Sequence, residues 1–183
     1  YGPQNWIDQQ TQIASTFSDG FPIEFNDNAS NGVVNITGFP NPSYITVSND
    51  VLPYVWVNGS LGSPSIPRLV KLGSGSLTRV EGGADFIDRI ELNAGSYIIS
   101  NASDTVFTTI VTDAGIGTGT LVKQGSNILS MAANNNNYDA AILVQEGMLK
   151  LVNTNLPLGK TTGSTTIAAG ATLDLNDVIA PGE

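Results

Sequence analysis

The chain has 183 residues, a formal net charge of −9, and neither Cys nor His. These absences exclude disulfides, thiol or imidazole catalysis, His or Cys metal ligands and a Ser-His-Asp triad. Asn, Gly, Ser and Thr together make up more than a third of the chain, whereas only 13% of it is charged. Such a composition is typical of many short strands joined by polar turns, so we predict an all-β fold.

The basic residues are too few and too scattered for most polyanionic partners. Four Lys and three Arg are spread along the sequence. We therefore expect no nucleic-acid partner and no attachment to an anionic membrane surface, because both need a basic face. No apolar run approaches the roughly 18 residues that span a bilayer, so membrane insertion is not expected. The N-terminus lacks the basic and apolar regions of a signal peptide.

The first part of the chain consists of short strand-and-turn phrases. WIDQQTQIAST, residues 6–16, is the one stretch where we expect a helical turn. Phrases such as PIEFNDNAS, GVVNITG, PSYITVSND and PYVWVNGSLG then follow, each punctuated by Asn, Asp, Gly or Pro. No shift in composition marks a linker. We predict one continuous domain over residues 1–183, with residues 1–60 as N-terminal strands and residues 61–183 as clearer repeats.

A repeat becomes visible in the second half of the chain. Residues 69–101 superpose without gaps on residues 121–153, an offset of 52, with nine identities in 33 positions. Phe86 falls opposite Tyr138 in this alignment. The identical pairs are Leu69/Leu121, Val70/Val122, Lys71/Lys123, Gly73/Gly125, Ser74/Ser126, Leu77/Leu129, Ile90/Ile142, Gly95/Gly147 and Asn101/Asn153.

Glycines recur at comparable intervals along the same part of the chain, and each is followed by alternating apolar positions. Alternation predicts strands with one face inward and one outward. The members of this series are Gly75, Gly95, Gly125, Gly147 and Gly170. We predict a solenoid of six to eight coils stacked about 4.8 Å apart, which gives a rod roughly 30 to 40 Å long.

These phrases resemble the autotransporter-associated β-strand repeat, also called the passenger-associated transport repeat. LVKLGSGSLTRV, LVKQGSNILSM, AILVQEGMLKLVN and ATLDLN carry the resemblance, which runs from about residue 17 to residue 176. It implies a right-handed parallel β-helix in a secreted or surface-anchored bacterial protein, with adhesive or scaffolding roles and few defined active sites. Asn127 replaces the second glycine of the motif, where we expect it to adopt left-handed geometry if the turn needs it. Family members usually continue past the LDLN phrase, so we expect a piece of a longer protein, or a subunit whose end a neighbour covers.

The densest carboxylate group is Glu81, Asp85, Asp88 and Glu91, interleaved with Arg79 and Arg89. Such a group could supply an acid/base pair for sugar processing. The second copy of the repeat carries Ala133, Asn137, Ala140 and Leu143 at the matching positions, so the architecture does not require the carboxylates. We favour a solvated face with local ion pairs.

The remaining candidate sites also have simpler explanations. Residues 26–31 and 134–139 offer Asn and Asp oxygens that suit Ca²⁺, but turn chemistry explains them without a metal. The glycine phrases at residues 73–76 and 115–120 precede no helix that could hold a phosphate, so we expect turns. An aromatic sugar platform is a further alternative, less favoured than core packing. Its residues would be Trp6, Tyr44, Tyr54 and Trp56.

The sequence thus favours a non-enzymatic structural module at a bacterial cell surface or in the extracellular space. It would form a stalk, filament or adhesive scaffold, and associate with copies of itself or with neighbouring solenoid segments through strand edges. The alternative is a carbohydrate-binding or polysaccharide-processing β-helix with a glycan surface. That alternative requires clustered carboxylates and exposed aromatic residues on one face. We assign no catalytic, cofactor or metal-binding residue.

Overall fold

The structure, a computed structural model, describes residues 6–62, 65–80, 85–135, 137–152 and 156–176. It confirms the all-β parallel solenoid, with about six turns and no helix among the described residues. The chain winds through three parallel sheets. Ser76, Ser96 and Thr120 lie opposite one another on successive coils of one sheet. One coil is therefore shorter than half of the offset between the two sequence copies.

Sheet I contains five strands in the N-terminal part of the rod. In chain order they are β3 (Ile23–Asn26), β5 (Ile45–Ser48), β7 (Leu69–Leu72), β9 (Arg89–Leu92) and β12 (Ile110–Thr112).

Sheet II runs the whole length of the rod with seven strands. These are β4 (Val33–Asn35), β6 (Tyr54–Val57), β8 (Ser76–Val80), β10 (Ser96–Ser100), β13 (Thr120–Gln124), β15 (Ala141–Val144) and β17 (Ser164–Ile167). At about 4.8 Å per strand, this sheet is roughly 29 Å long, close to the lower end of the predicted length.

Sheet III contains four strands in the C-terminal part. These are β11 (Thr105–Phe107), β14 (Ile128–Met131), β16 (Met148–Leu151) and β18 (Thr172–Asp174).

The interior is formed by every second residue of each strand, as the alternation predicts. In sheet II, Leu77, Tyr97, Leu121 and Ile142 lie in register on four successive strands and are all buried. Their stacking joins one continuous apolar core from coil to coil. Because each coil buries its apolar face against the next, the rod is stabilised by neighbour contacts.

Residues 6–16 form a β-hairpin, and the expected helical turn is wrong. β1 (Trp6–Ile7) pairs antiparallel with β2 (Ala14–Ser15). The Asp8 carboxylate accepts the backbone N–H groups of Gln10 and Thr11, both at 2.9 Å, and Gln12 takes a left-handed φ of 55°. A side chain that bonds the backbone in this way reverses the chain and competes with helix formation.

The two copies of the sequence repeat occupy different faces of the rod. β7 of the first copy lies in sheet I, whereas β13 of the second copy lies in sheet II. The offset between the copies therefore corresponds to two coils plus one face. The repeat consequently encodes a strand, a corner and the next strand, and the same corner is used at two positions of the coil. Phe86 and Tyr138 are not equivalent, since Tyr138 is fully buried and Phe86 is half-exposed.

Candidate functional site

Two buried lysines mark the corner encoded by the repeat. Lys71 is the last inward-facing residue of β7, and Lys123 is the last inward-facing residue of β13. Both residues are at most 2% exposed. The Lys71 Nζ donates to the carbonyl oxygens of Leu72 and Gly73, at 2.5 and 2.9 Å. A buried ammonium is costly unless it is hydrogen-bonded, and here the carbonyls of the turn supply the acceptors.

The Lys123 corner has the same design with one more acceptor. Its Nζ donates to the carbonyl oxygens of Gln124, Gly125 and Glu146, at 2.8, 2.5 and 3.1 Å. Glu146 lies one coil further along the rod, so this lysine joins two coils. Three carbonyls match the three donors of an ammonium group.

Burial lowers the pKa of Lys71 to about 8, although the nearby carboxylates of Asp50 and Asp27 act in the opposite direction. The group is still mainly protonated at neutral pH. The lysine therefore acts as an internal cation whose charge is shared with turn carbonyls and two carboxylates.

Asparagine and glycine complete each corner on the adjacent coils. Asn49 and Asn101 are buried, and each donates through Nδ2 to two backbone carbonyls. Gly73 and Gly125, above them, take φ values of +72° and +83°. The left-handed residue of the second corner is therefore Gly125. The turn does not need left-handed geometry at Asn127, which has no positive φ. Sequence reasoning identified the glycines and lysines as repeated residues, but it missed Asn49.

Gly147 is required by space as well as by φ, because a Cβ there would overlap the carbonyl oxygen of Gly125. We expect Gly147→Ala to destabilise the fold by about 3 kcal/mol or more, since backbone atoms on both coils would have to move. Gly170, with φ +86° and open space around it, is the matched control. Gly170→Ala carries only the conformational cost of about 1 kcal/mol. If urea unfolding showed equal losses of stability in the two variants, the close approach of the two corner backbones would not be the reason for glycine at position 147.

Aspartates join neighbouring coils at the turns. Six of them accept a backbone N–H from an adjacent coil: Asp19, Asp27, Asp50, Asp85, Asp104 and Asp113. Charge-assisted bonds of this kind are stronger than neutral ones. Part of the acidic excess therefore has a structural role.

Asp27 makes the most of these bonds and gives a prediction for acid stability. Its carboxylate accepts the N–H groups of Asp50, Val51 and Leu52 at 2.8 to 3.1 Å. The bonds to Asp50 and Leu52 are the main cause of its lowered pKa. A lowered carboxylate pKa stabilises the fold above its ordinary value of 3.8 and loses that effect as the pH falls.

We therefore expect wild-type protein to be more stable than Asp27→Asn at neutral pH, and the difference to shrink as the pH falls below about 4. Urea unfolding over a pH series measures it. A difference that stays constant down to the most acidic buffers would contradict the assignment.

The four predicted carboxylates do not form one site. Glu81 lies outside the described residues. Asp85 is bound in a bidentate pair by the buried Arg79 guanidinium, at 2.6 and 3.0 Å, and also caps Leu61 N–H. Asp88 faces the Ser65 hydroxyl. The Arg79–Asp85 pair is thus a third corner with an internal cation, and not part of a solvated face.

Glu91 lies on the outer surface of sheet I. Arg68 Nη1 and Arg89 Nη2 lie 3.7 and 3.1 Å from its carboxylate. Together with Asn137 and Lys160, Arg89 and Glu91 line a groove of about 400 Å³. Glu91 is thus a sequence-predicted carboxylate that lines a surface depression.

The aromatic residues form a core cluster, and not a platform. Tyr54 and Trp56 are 1% exposed, and their rings lie 5.3 and 5.2 Å from that of Phe25. Trp6 packs on Phe25 from the hairpin at 5.5 Å. Tyr44, the fourth candidate, is 37% exposed and lies beneath the Arg68 guanidinium at 5.4 Å.

The Asn-rich turns use their oxygens for backbone contacts. Asn26 and Asn31 accept N–H groups two residues ahead. Asn135 is fully buried, where it accepts Val111 N–H and donates to Pro157 O. Within the described ranges, no group of three His, Cys, Asp or Glu side chains is placed to hold a metal ion. In the same part of the chain, no helix is long and apolar enough to cross a bilayer.

Comparison with family models, with curated proteins and with solved structures found no match for this chain.

Proposed function

We propose that the chain is a non-catalytic structural segment of a bacterial cell-surface or secreted protein, forming part of a stalk, filament or adhesive scaffold. The observation that carries this proposal is the corner: three coils use a buried Lys or Arg, and six aspartates bond neighbouring coils. These residues contribute to rigidity along the rod axis. The likeness of the repeat phrases to the autotransporter-associated repeat supports the location.

Association through strand edges is the second part of the proposal. β17 and β18 are the last strands of sheets II and III, and each pairs on one side with a described strand. Ile167 and Leu175, at that end of the rod, are each 46% exposed. An adjoining solenoid segment or a second copy would pair with this edge, where no further described strand follows, and cover these side chains.

Two measurements test this proposal. Electron microscopy and small-angle scattering of the purified chain should show a rod whose length increases when solenoid segments are added. In the native bacterium, an antibody or protease applied outside the cell should reach the protein. A protein found only in the cytoplasm, or a compact particle with no axial continuation, would overturn it.

Sedimentation analysis over a concentration series tests whether the chain associates through this strand edge. We expect association that is reduced by Ile167→Lys, because a charge on the exposed end opposes burial. A monomer at every concentration, with no neighbouring segment that binds, would contradict the role given to the edge.

A further inference from the structure

The outer face of sheet II is uncharged. The charged residues of its strands are Arg79 and Lys123, and both side chains are buried on the inner side. The outward positions of the other parallel sheets do carry charges, among them Glu24 and Glu91 in sheet I and Lys150 in sheet III. In a chain of net charge −9, sheet II is therefore the one parallel sheet whose described strands place no charge on the outside.

An apolar column runs along the middle of this face from the first strand of the sheet to the last. Its seven residues lie in register on the seven strands, and all are aliphatic except for two Thr. Ile98 and Leu143, in its central part, are partly exposed. We call this set the outer column. In chain order it consists of Val33, Val55, Thr78, Ile98, Val122, Leu143 and Thr166.

Two strands of sheet II are apolar on both faces. β6 has the sequence YVWV and β15 has AILV, whereas β9 of sheet I alternates as RIEL. Parallel strands with continuous apolar residues are typical of sheets that are covered on both sides. The core covers the inner side of sheet II. On the outer side, Val33 is 58% exposed and Ile98 partly exposed, so this face can accept a further layer.

The chemistry of the face indicates what that layer is. Nucleic acids and anionic membranes need basic residues, and this face has none on its described strands. A sugar has no ring to stack on, because Tyr54, Trp56 and Tyr97 are buried on the inner side. A second copy of the chain brings the same uncharged face. Contact between two such faces buries no carboxylate, which is the main cost of bringing two acidic chains together.

The size of the face suits a small interface between two copies. Its seven strands span roughly 29 Å along the rod, and up to three outward residues per strand span about 15 Å across it. Two such faces together would cover about 900 Å². This area is at the low end for specific protein contacts, so we expect a weak dimer with a Kd in the micromolar range.

We propose that two copies of this chain associate side by side through the outer faces of sheet II. Sheets that pack face to face lie about 10 Å apart, with their side chains in contact. β10 is the middle strand of the seven, so a symmetric contact with full overlap places Ile98 opposite its counterpart in the second copy. The contact is lateral and closes at two copies. It goes beyond the scaffold function and is independent of association through the strand edges at the end of the rod.

Sedimentation equilibrium of matched lysine variants tests the proposal, in an Ile167→Lys background that opposes association at the end of the rod. We expect a monomer–dimer equilibrium that Ile98→Lys weakens at least tenfold, because the contact would bury an unpaired charge. Val106→Lys, at a 61% exposed position of sheet III, makes the same change in net charge and should leave the Kd within about twofold. Added salt should strengthen the dimer, since it screens the repulsion between two acidic chains. Equal effects of the two lysines, or a monomer at every concentration, would overturn the proposal and leave the scaffold function untouched.

Crosslinking in the same background gives a readout that requires no buried charge. The chain has no Cys, so Ile98→Cys introduces a single thiol. Two such thiols on sheets about 10 Å apart are within reach of a short bis-maleimide, and we expect a covalent dimer. Val106→Cys, on sheet III, is the control and should stay monomeric. Crosslinking of both variants to the same extent, or of neither, would contradict the contact through sheet II.

Discussion

Replacing Lys123 with Met should lower the free energy of unfolding by about 3 kcal/mol, because it leaves three turn carbonyls without their donor. Met fills nearly the same volume, so the loss reports the hydrogen bonds and charge rather than a cavity. For a chain of this length, that loss corresponds to a fall in Tm of roughly 6 to 12 °C. Lys71→Met should cost less, since its Nζ bonds two carbonyls.

Lys150→Met is the control for this experiment. Its side chain is 35% exposed and its ammonium lies 3.9 Å from the Asp174 carboxylate, so its loss should change stability by no more than about 0.5 kcal/mol. Chemical and thermal unfolding of the three Met variants measure the order of their stabilities. Wild-type stability in Lys123→Met would show that the carbonyls find other donors and that the lysine is dispensable.

A chemical rescue separates the cation from the packing. Lys123→Ala leaves a cavity that n-propylammonium could enter, placing its charged group among the carbonyls of Gln124, Gly125 and Glu146. We expect the ammonium compound to raise the Tm of this variant and not that of Lys123→Met. The neutral n-propanol should not raise it. Equal effects of both compounds would indicate that volume, and not charge, is what the corner requires.

Removing the N-terminal hairpin should make the rod associate. Trp6 packs on Phe25, which in turn contacts Tyr54 and Trp56, so the hairpin covers the aromatic end of the core. It is also the one antiparallel pair among the described strands, and it does not hydrogen-bond to the first strands of sheets I and II. A cover that does not continue the parallel sheet is how solenoids close an end.

We expect deletion of residues 1–16 to increase the mass measured by light scattering above that of the intact chain, as Phe25 loses the cover of Trp6. Trp6→Ala should lower stability by about 2 kcal/mol through lost apolar burial. Phe39→Ala is the control, because that ring is 63% exposed. If the deleted chain stays as dispersed as the intact one, the hairpin is not a cap.

The alternating in-out pattern of the strands, taken alone, predicts that the corner cations are buried. Leu69, Val70 and Lys71 follow the in-out-in pattern, and so do Leu77, Thr78 and Arg79. Residue type opposes this assignment, because Lys and Arg are seldom fully buried without partners. Their partners are turn carbonyls, which the sequence does not display as acceptors. For this reason the sequence predicts a solvated face for Arg79, whereas its side chain lies inside.

The groove on sheet I was beyond the reach of sequence reasoning for another reason. Glu91, Asn137 and Lys160 are far apart in sequence, and only the winding of the coil brings them to one groove. Their juxtaposition depends on how many residues every intervening loop uses. No local sequence pattern reports the combined length of these loops.

By itself, the sequence determined the strand character, the alternation and the recurring glycine turns, because strand propensity and the left-handed φ of a turn are local properties. Tertiary structure alone decided which face each strand occupies. Since the offset between the two sequence copies exceeds two full coils, the copies lie in different sheets. It also decided what the charged side chains do, since a carboxylate or an ammonium group links two coils only when the next coil places its backbone groups at hydrogen-bonding distance.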